Sequence, residues 1–243
     1  MTPALEQPRR RKAAPEIIAV KPVVFLTGGM LVALAAAMLA PMSLDYFRGE
    51  EHWRVFALSS LVTLVCGLAT LYGFQCDLKS GLTLRQAFLL TPFAWTTVVF
   101  FAALPMYFSG FNELGGSFTN AFFEAMSGLT TTGATTISGL DQAPLGLLLW
   151  RALLQWLGGI GIIATAIAIL PTLGVGGMQL FRTESSDRSE KVLPRAREIA
   201  IALVGVYVAM TIACILAYWA VGMGLFDAVA HALATVSTAG FST

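Results

Sequence analysis

Charged side chains are scarce: Asp, Glu, Lys and Arg make up 12% of the 243 residues, about half of the roughly 25% usual in soluble domains. With 56% of the residues hydrophobic, too little polar surface remains to cover a water-facing domain, and an ordinary soluble protein is excluded. Cysteine is nearly absent. Cys66, Cys76 and Cys214 lie in or beside apolar stretches without metal-ligand spacing, which leaves them as small buried hydrophobes. Only two histidines occur, His52 and His231, and neither sits in a zinc-protease helix or accompanies a Gly-x-Ser-x-Gly elbow. The sequence therefore offers no enzyme constellation, and each His reads as a surface or packed residue. The basic residues gather into no single patch, which argues against a nucleic-acid partner. Residues 1–22 hold no short apolar region followed by a small-residue cleavage site, so no removed leader is expected.

What is abundant is apolar sequence in long runs. Residues 23–40, 55–74, 87–108, 146 to about 173 and 199–222 each approach or exceed the ~20 residues that cross a bilayer as a helix. Pro41 is expected to stop the first span. The polar stretch 43–54 is expected to connect it to the second, closing a helical hairpin. Pro92 and Pro105 fall near the ends of the third, where a helix tolerates proline best. Gly158, Gly159 and Gly161 in the fourth (LGGIG) let neighbouring backbones approach closely; a nucleotide loop would need a preceding strand and a Lys that are missing. Pro171 and residues 174–177 (GVGG) should bend or end this helix, and residues 179–198 form a charged connection. With the N-terminus in the cytoplasm, twelve of the fifteen Lys and Arg residues fall inside, and only Arg48, Arg54 and Arg151 outside, as the positive-inside rule demands.

Between these spans lies a stretch of a different kind, residues 129–136 (LTTTGATT). Thr around a Gly makes a poor helix and fills no core. Its product is a row of carbonyls and hydroxyls. Residues 118–128 (FTNAFFEAMSG) read as an apolar helix too short to span, so it must enter and turn back. Non-helical backbone at membrane depth survives only where protein or a watery cavity satisfies its polar groups, and the helix C-terminus adds partial negative charge favouring a cation. An ordinary external loop is the alternative for this stretch taken alone. A second copy weighs against it: at an offset of 107, residues 121–136 align with residues 228–243. Identities pair Ala121 with Ala228, Ala125 with Ala232, Thr131 with Thr238, Gly133 with Gly240 and Thr136 with Thr243. Internal symmetry in a membrane chain points to a path between the repeats.

These residues resemble the Trk/Ktr/HKT potassium transporter family, most specifically in 122–141, 153–182 and 226–243. The additional N-terminal hairpin resembles the Trk-type branch. The resemblance implies an all-α membrane protein with potassium-channel-like span–pore-helix–span repeats and re-entrant filter loops. Residues 1–22 form a cytoplasmic basic N-terminus and 23–78 the hairpin. Residues 79–190 make a first pore repeat with its filter at 130–134, and 191–243 an incomplete second with its filter at 237–241. Gly133 and Gly240 are by resemblance two of four filter glycines, with Thr131, Thr132, Thr238 and Ala239 as the other potassium-coordinating positions. Thr238-Ala239-Gly240-Phe241 departs from the family's apolar-Gly-Gly-Phe pattern, so the resemblance implies carbonyl coordination there and leaves the side-chain roles open. The resemblance further implies a bacterial inner-membrane location, a homodimer, gating by a cytosolic nucleotide-binding TrkA-like subunit, potassium as the transported ion and no covalently bound cofactor.

Two filter strands cannot close a ring, so the chain is expected to be the amino-terminal half of a longer protein, or else to borrow strands from another chain. The leading expectation is a potassium-conducting subunit; the alternative is a non-conducting fragment or membrane scaffold of such a system. Two charges stand out. Glu124, on the short helix beside the path, acts electrostatically on a cation or holds the helix structurally. Arg151, heading the fourth span, is expected to snorkel outward, with anchoring of the filter loop as the alternative.

Overall fold

The computed structural model describes residues 20–77, 82–173 and 192–243, and among these every regular element is helical. The basic N-terminus through residue 19, residues 174–177 and most of the charged connection up to residue 191 lie outside the described residues. Among the described helices, five segments are long and apolar enough to cross a membrane: Lys21–Arg48, Trp53–Gly73, Arg85–Ser109, Leu145–Ile163 and Ala200–Ala220.

The first of these is two helices end to end, α1 (Lys21–Ala37) and α2 (Leu39–Arg48). Pro41 does not stop the span. It is the third residue of α2, in the first turn, where the N–H that proline lacks has no intrahelical acceptor to miss. The helix therefore runs on through half of what was expected to be a polar connection. α3 (Trp53–Gly73) returns against α1. The two touch at Gly28 and Gly67, where a Cβ on either would come within 3.1 Å of the other's carbonyl oxygen.

α4 (Leu84–Ser109) follows, opened by a capping box at Thr83 and Gln86. Then come a 3-10 turn (Asn112–Leu114), the short α5 (Phe118–Leu129) and, after a second 3-10 turn (Leu140–Gln142), the long α6 (Leu145–Leu173). At 12 residues α5 is about 18 Å long, well short of the ~30 Å hydrocarbon core. It lies between α4 and α6. The main core joins Leu31, Val99, Met106, Ala125, Trp150 and Leu154, and the Trp150 indole N–H donates to the Ala102 carbonyl at 3.0 Å. α7 (Val192–Ala220) and the second short helix α8 (Leu225–Val236) repeat the arrangement, with α8 packed on both α7 and α6.

The extension of α2 has a purpose in the packing. Asp45, fully buried, accepts the Gly146 backbone N–H at 2.8 Å and so caps the start of α6 from 101 residues away. A Cβ at position 146 would fall on the Asp45 carboxylate. The hairpin is thereby tied to the first repeat.

Candidate functional site

Both short helices end the same way. At the end of α5, Thr130 has φ −79° and Thr131 turns into the left-handed region with φ 57°. The Thr132 N–H then reaches the Ser127 carbonyl at 2.9 Å and the Thr131 N–H the Gly128 carbonyl at 3.0 Å. At the end of α8, Ser237 has φ −77° and Thr238 φ 56°; Ala239 N–H bonds Ala234 and Thr238 N–H bonds Thr235. Each is a Schellman closure with Thr in the position that glycine usually takes. A β-branched residue there is strained by about 1–3 kcal/mol. That the strain recurs at an offset of 107 extends the internal repeat from sequence to backbone.

Beyond these closures the chain runs without regular structure from residue 132 to 139 and from 239 to 243. Thr132, Thr238 and Gly240 are exposed, while Thr131, Gly133 and Ala239 are half-buried. The two strands meet at their glycines. Gly133 has φ 78°, and a Cβ on it would lie 2.8 Å from the Gly240 nitrogen and 3.0 Å from its Cα. A side chain at 133 would thus face both a disfavoured backbone angle and a collision with backbone. Gly240 is not among the positive-φ residues, and a Cβ there would meet only the Gly133 Cα at 4.0 Å.

Behind the strands stands a polar anchor. Glu124, with no exposed surface, accepts from the Thr135 hydroxyl at 2.9 Å, the Thr136 N–H at 3.0 Å and the Arg151 Nε at 2.8 Å. Arg151 is 1% exposed and does not snorkel outward. Its Nη2 donates to the Thr135 hydroxyl at 3.2 Å, its Nη1 to the Ser242 carbonyl at 3.1 Å, and its guanidinium lies 4.0 Å from the Phe241 ring centroid. Snorkelling loses because a guanidinium offers five donors in a fixed fork, and here a buried carboxylate, a hydroxyl, a carbonyl and an aromatic face meet it at once. The hydrogen-bonded structural role applies to Glu124, and Arg151 anchors both strands rather than one.

In the second repeat the positions equivalent to Glu124 and Asn120 are His231 and Asp227. His231 Nε2 shares a hydrogen bond of 3.1 Å with the Ser242 hydroxyl, and the Thr243 hydroxyl donates to Asp227 at 2.7 Å. The glycine cluster of α6 seats both short helices. A Cβ at Gly158 would fall on the Leu129 carbonyl oxygen, and one at Gly159 on the Tyr207 hydroxyl and 3.2 Å from the Ser237 Cβ; one at Gly161 would lie 3.8 Å from the Trp95 ring, an ordinary contact. The close-packing expectation holds for the first two glycines.

At the far end of the first strand, Glu113 accepts from the Ser138 hydroxyl and from its N–H at 3.1 Å, while Asn112 donates to the Ser138 carbonyl at 2.8 Å. The Ser138 hydroxyl, and after it the Ser138 N–H, hold the Glu113 carboxyl below its ordinary value of 4.5. Among the described residues no group of three or more His, Cys, Asp and Glu is placed to hold a metal.

The structure brings Gly133 and Gly240 together, with Thr131 and Thr132 leading into the first and Thr238 and Ala239 into the second, and it adds residues that sequence reasoning missed. Asp45 was hidden in a polar stretch; Ser242 meets Arg151 through its carbonyl, which no side chain advertises. Phe241, buried under Arg151, carried a signal only in its place beside Gly240.

The profile of the TrkH family, described as cation transport protein, matches residues 54–243. The Trk system potassium uptake protein TrkH of Escherichia coli K12 is 42% identical over 220 residues, covering 90% of this chain and 45% of that protein. Its Halomonas elongata counterpart is 41% identical with the same coverage, and the E. coli uptake protein TrkG is 35% identical over 228 residues, covering 92% of this chain and 46% of its own. The crystal structure of the potassium transporter TrkH from Vibrio parahaemolyticus superimposes with a TM-score of 0.80 at 36% identity, over 93% of this chain and 44% of that one. The chain thus spans a little under half the length of the relatives it matches. Together with the five membrane-crossing helices and the doubled short-helix closures, these likenesses make it a multi-pass membrane protein with the potassium-channel-like fold, and it belongs to the TrkH family of cation transport proteins.

Proposed function

We propose that this chain supplies two of the filter strands of a Trk-type potassium uptake subunit in the bacterial inner membrane, with residues 130–134 and 237–241 presenting carbonyls to the ion. The observation that carries the reading is the meeting of two equivalent strands, each led by a strained Thr, at Gly133 and Gly240. Stripping water from a cation requires a ring of oxygens of fixed number and field. Two strands meeting at their glycines supply one side of such a ring, and closing it takes strands beyond these two. The relatives' names as potassium uptake proteins and the outward placement of both short helices by the Lys and Arg distribution support the assignment. Potassium is the ion carried. Homodimerisation and gating by a cytosolic nucleotide-binding TrkA-like partner belong to the same proposal.

The test is rubidium and sodium tracer uptake by the protein at the full length of its relatives, in cells lacking other potassium uptake systems. Gly133→Ser is expected to lower rubidium uptake and raise the share of sodium, because it forces the strand off its path and offers a hydroxyl to the smaller ion. A control in mid-α6, Ala166→Ser, is expected to change neither. An unchanged rubidium-to-sodium ratio in normally expressed Gly133→Ser overturns the assignment.

A further inference from the structure

One turn along α6 from Arg151, on the same face, stands Gln155. It has no exposed surface, and neither its Oε1 nor its Nε2 has a hydrogen-bond partner among the described residues. Exchanging the two atoms by flipping the amide leaves the problem as it was, since both positions are unpartnered. A carboxamide in a water-excluded interior is strongly unfavourable in that state. On α5, Ser127 is 5% exposed and its Oγ is likewise unpartnered.

The two helices run in the same direction through their contact, and the register is set by three points. Glu124 meets Arg151 at 2.8 Å, a Cβ on Gly128 would lie 3.2 Å from the Leu154 Cβ, and the Leu129 carbonyl abuts Gly158. Three residues on from Glu124 is Ser127, and four on from Arg151 is Gln155, each on the same helix face as its predecessor. The register therefore sets these two orphaned groups at one level of the α5–α6 interface. The carbonyl of Ser127 accepts the Thr132 N–H at 2.9 Å and the Gly133 N–H at 3.4 Å, so this level is also the base of the first strand.

We propose that an internal water sits at this level, bound by the Gln155 amide and the Ser127 hydroxyl, and that through it Gln155 acts as a positioning residue for residues 127–133. A buried water makes about three hydrogen bonds to otherwise unsatisfied groups, and the carboxamide and hydroxyl together provide that number. An ion is the poorer occupant: both ligands are neutral, and the nearest charges, Glu124 and Arg151, already neutralise one another. The site has no counterpart in the second repeat, because the position equivalent to Ser127 is Ala234.

The water itself is independent of the filter reading; only its effect on flux rests on that reading. The test has two arms on the full-length protein. A density map fine enough to resolve waters is expected to show a peak within hydrogen-bond distance of both Gln155 and Ser127. A direct Gln155–Ser127 bond, or no peak, overturns the proposal whatever the flux results. In the second arm, Gln155→Met, Ser127→Ala and the pair are compared by rubidium uptake. Each single change is expected to lower uptake by roughly fivefold, the scale of one lost buried hydrogen bond, and the pair to fall no further than Gln155→Met alone. Effects that multiply, or single variants at the parent rate, overturn the positioning role. Failure of Gly133→Ser to alter selectivity would instead count against the filter while leaving the water peak in place.

Discussion

The two repeats share a backbone and differ in what holds it. Each ends its short helix with a left-handed Thr and a Schellman closure, and each sends its strand out past a glycine. The first is pinned by a buried ion pair, Glu124 with Arg151, and the second by His231 and Asp227 acting on Ser242 and Thr243. The lesson is that the path of the strand is the invariant quantity. Any side chain that satisfies the returning N–H and O–H groups serves, whether a carboxylate or an imidazole. The load is nevertheless unequal, because Arg151 of the first repeat also holds the Ser242 carbonyl of the second.

Arg151→Met should separate the repeats most sharply. It leaves Glu124 charged, buried and unpaired, which costs about 3–5 kcal/mol, and it frees both strands together. His231→Leu removes one hydrogen bond to the strand and one to its own helix, worth about 1 kcal/mol each. Thermal unfolding of the purified full-length protein is expected to show a large drop in Tm for the first and a small one for the second. Equal drops would break the claim that the first repeat carries the load. Adding Glu124→Gln to Arg151→Met should restore part of the loss, since it removes the orphaned charge.

Adjacent glycines of α6 give the next test. Gly158→Ala drives a methyl into the Leu129 carbonyl, which is backbone at the end of α5, whereas Gly159→Ala meets side-chain atoms, the Tyr207 hydroxyl and the Ser237 Cβ. Overpacking against backbone is expected to cost about 1–3 kcal/mol, and the Gly159 change less. The same asymmetry reappears between the strands. Gly133→Ser is expected to shift the rubidium-to-sodium ratio and Gly240→Ser to shift it less, because only Gly133 combines a positive φ with a backbone collision. If Gly240→Ser has the larger effect on tracer uptake, the second strand governs selectivity and the ranking is reversed.

Much of this was legible from patterning. Apolar runs located the spans because lipid imposes length, and the offset of 107 paired the strands before any coordinate did. Three features were not legible, each for a physical reason. Pro41 reads as a helix stop, but the break at Met38 puts it in a first turn where it does no harm. Asp45 and Gly146 are too far apart in sequence for local capping rules to link them. Thr131 and Thr238 favour extended backbone by their β-branching, so their left-handed turns arise only from the closure of the helices that precede them. Arg151 was recognised as an anchor or a snorkelling cation, and only its burial between two strands decides which.

The smallest difference between the repeats lies where Glu113 holds the far end of the first strand. Glu113 accepts two hydrogen bonds from Ser138, while the equivalent position in the second repeat is Ala220. These bonds favour the ionised carboxylate, with the Ser138 hydroxyl the larger contributor, so the folded-state value lies below the ordinary 4.5. A carboxyl depressed on folding stabilises the structure above its unfolded value and ceases to do so as pH falls through the folded one. The Ser138 turn should therefore be unaffected between pH 7 and about 5, and should loosen only in more acidic solution. Hydrogen exchange at the Ser138 amide, compared with Glu113→Gln, measures this. The parent is expected to be the better protected at neutral pH and to converge on the variant in acid, because protonation turns Glu113 into something close to Gln. Protection that is equal in the two proteins at neutral pH would show that Glu113 does not hold the strand's far end.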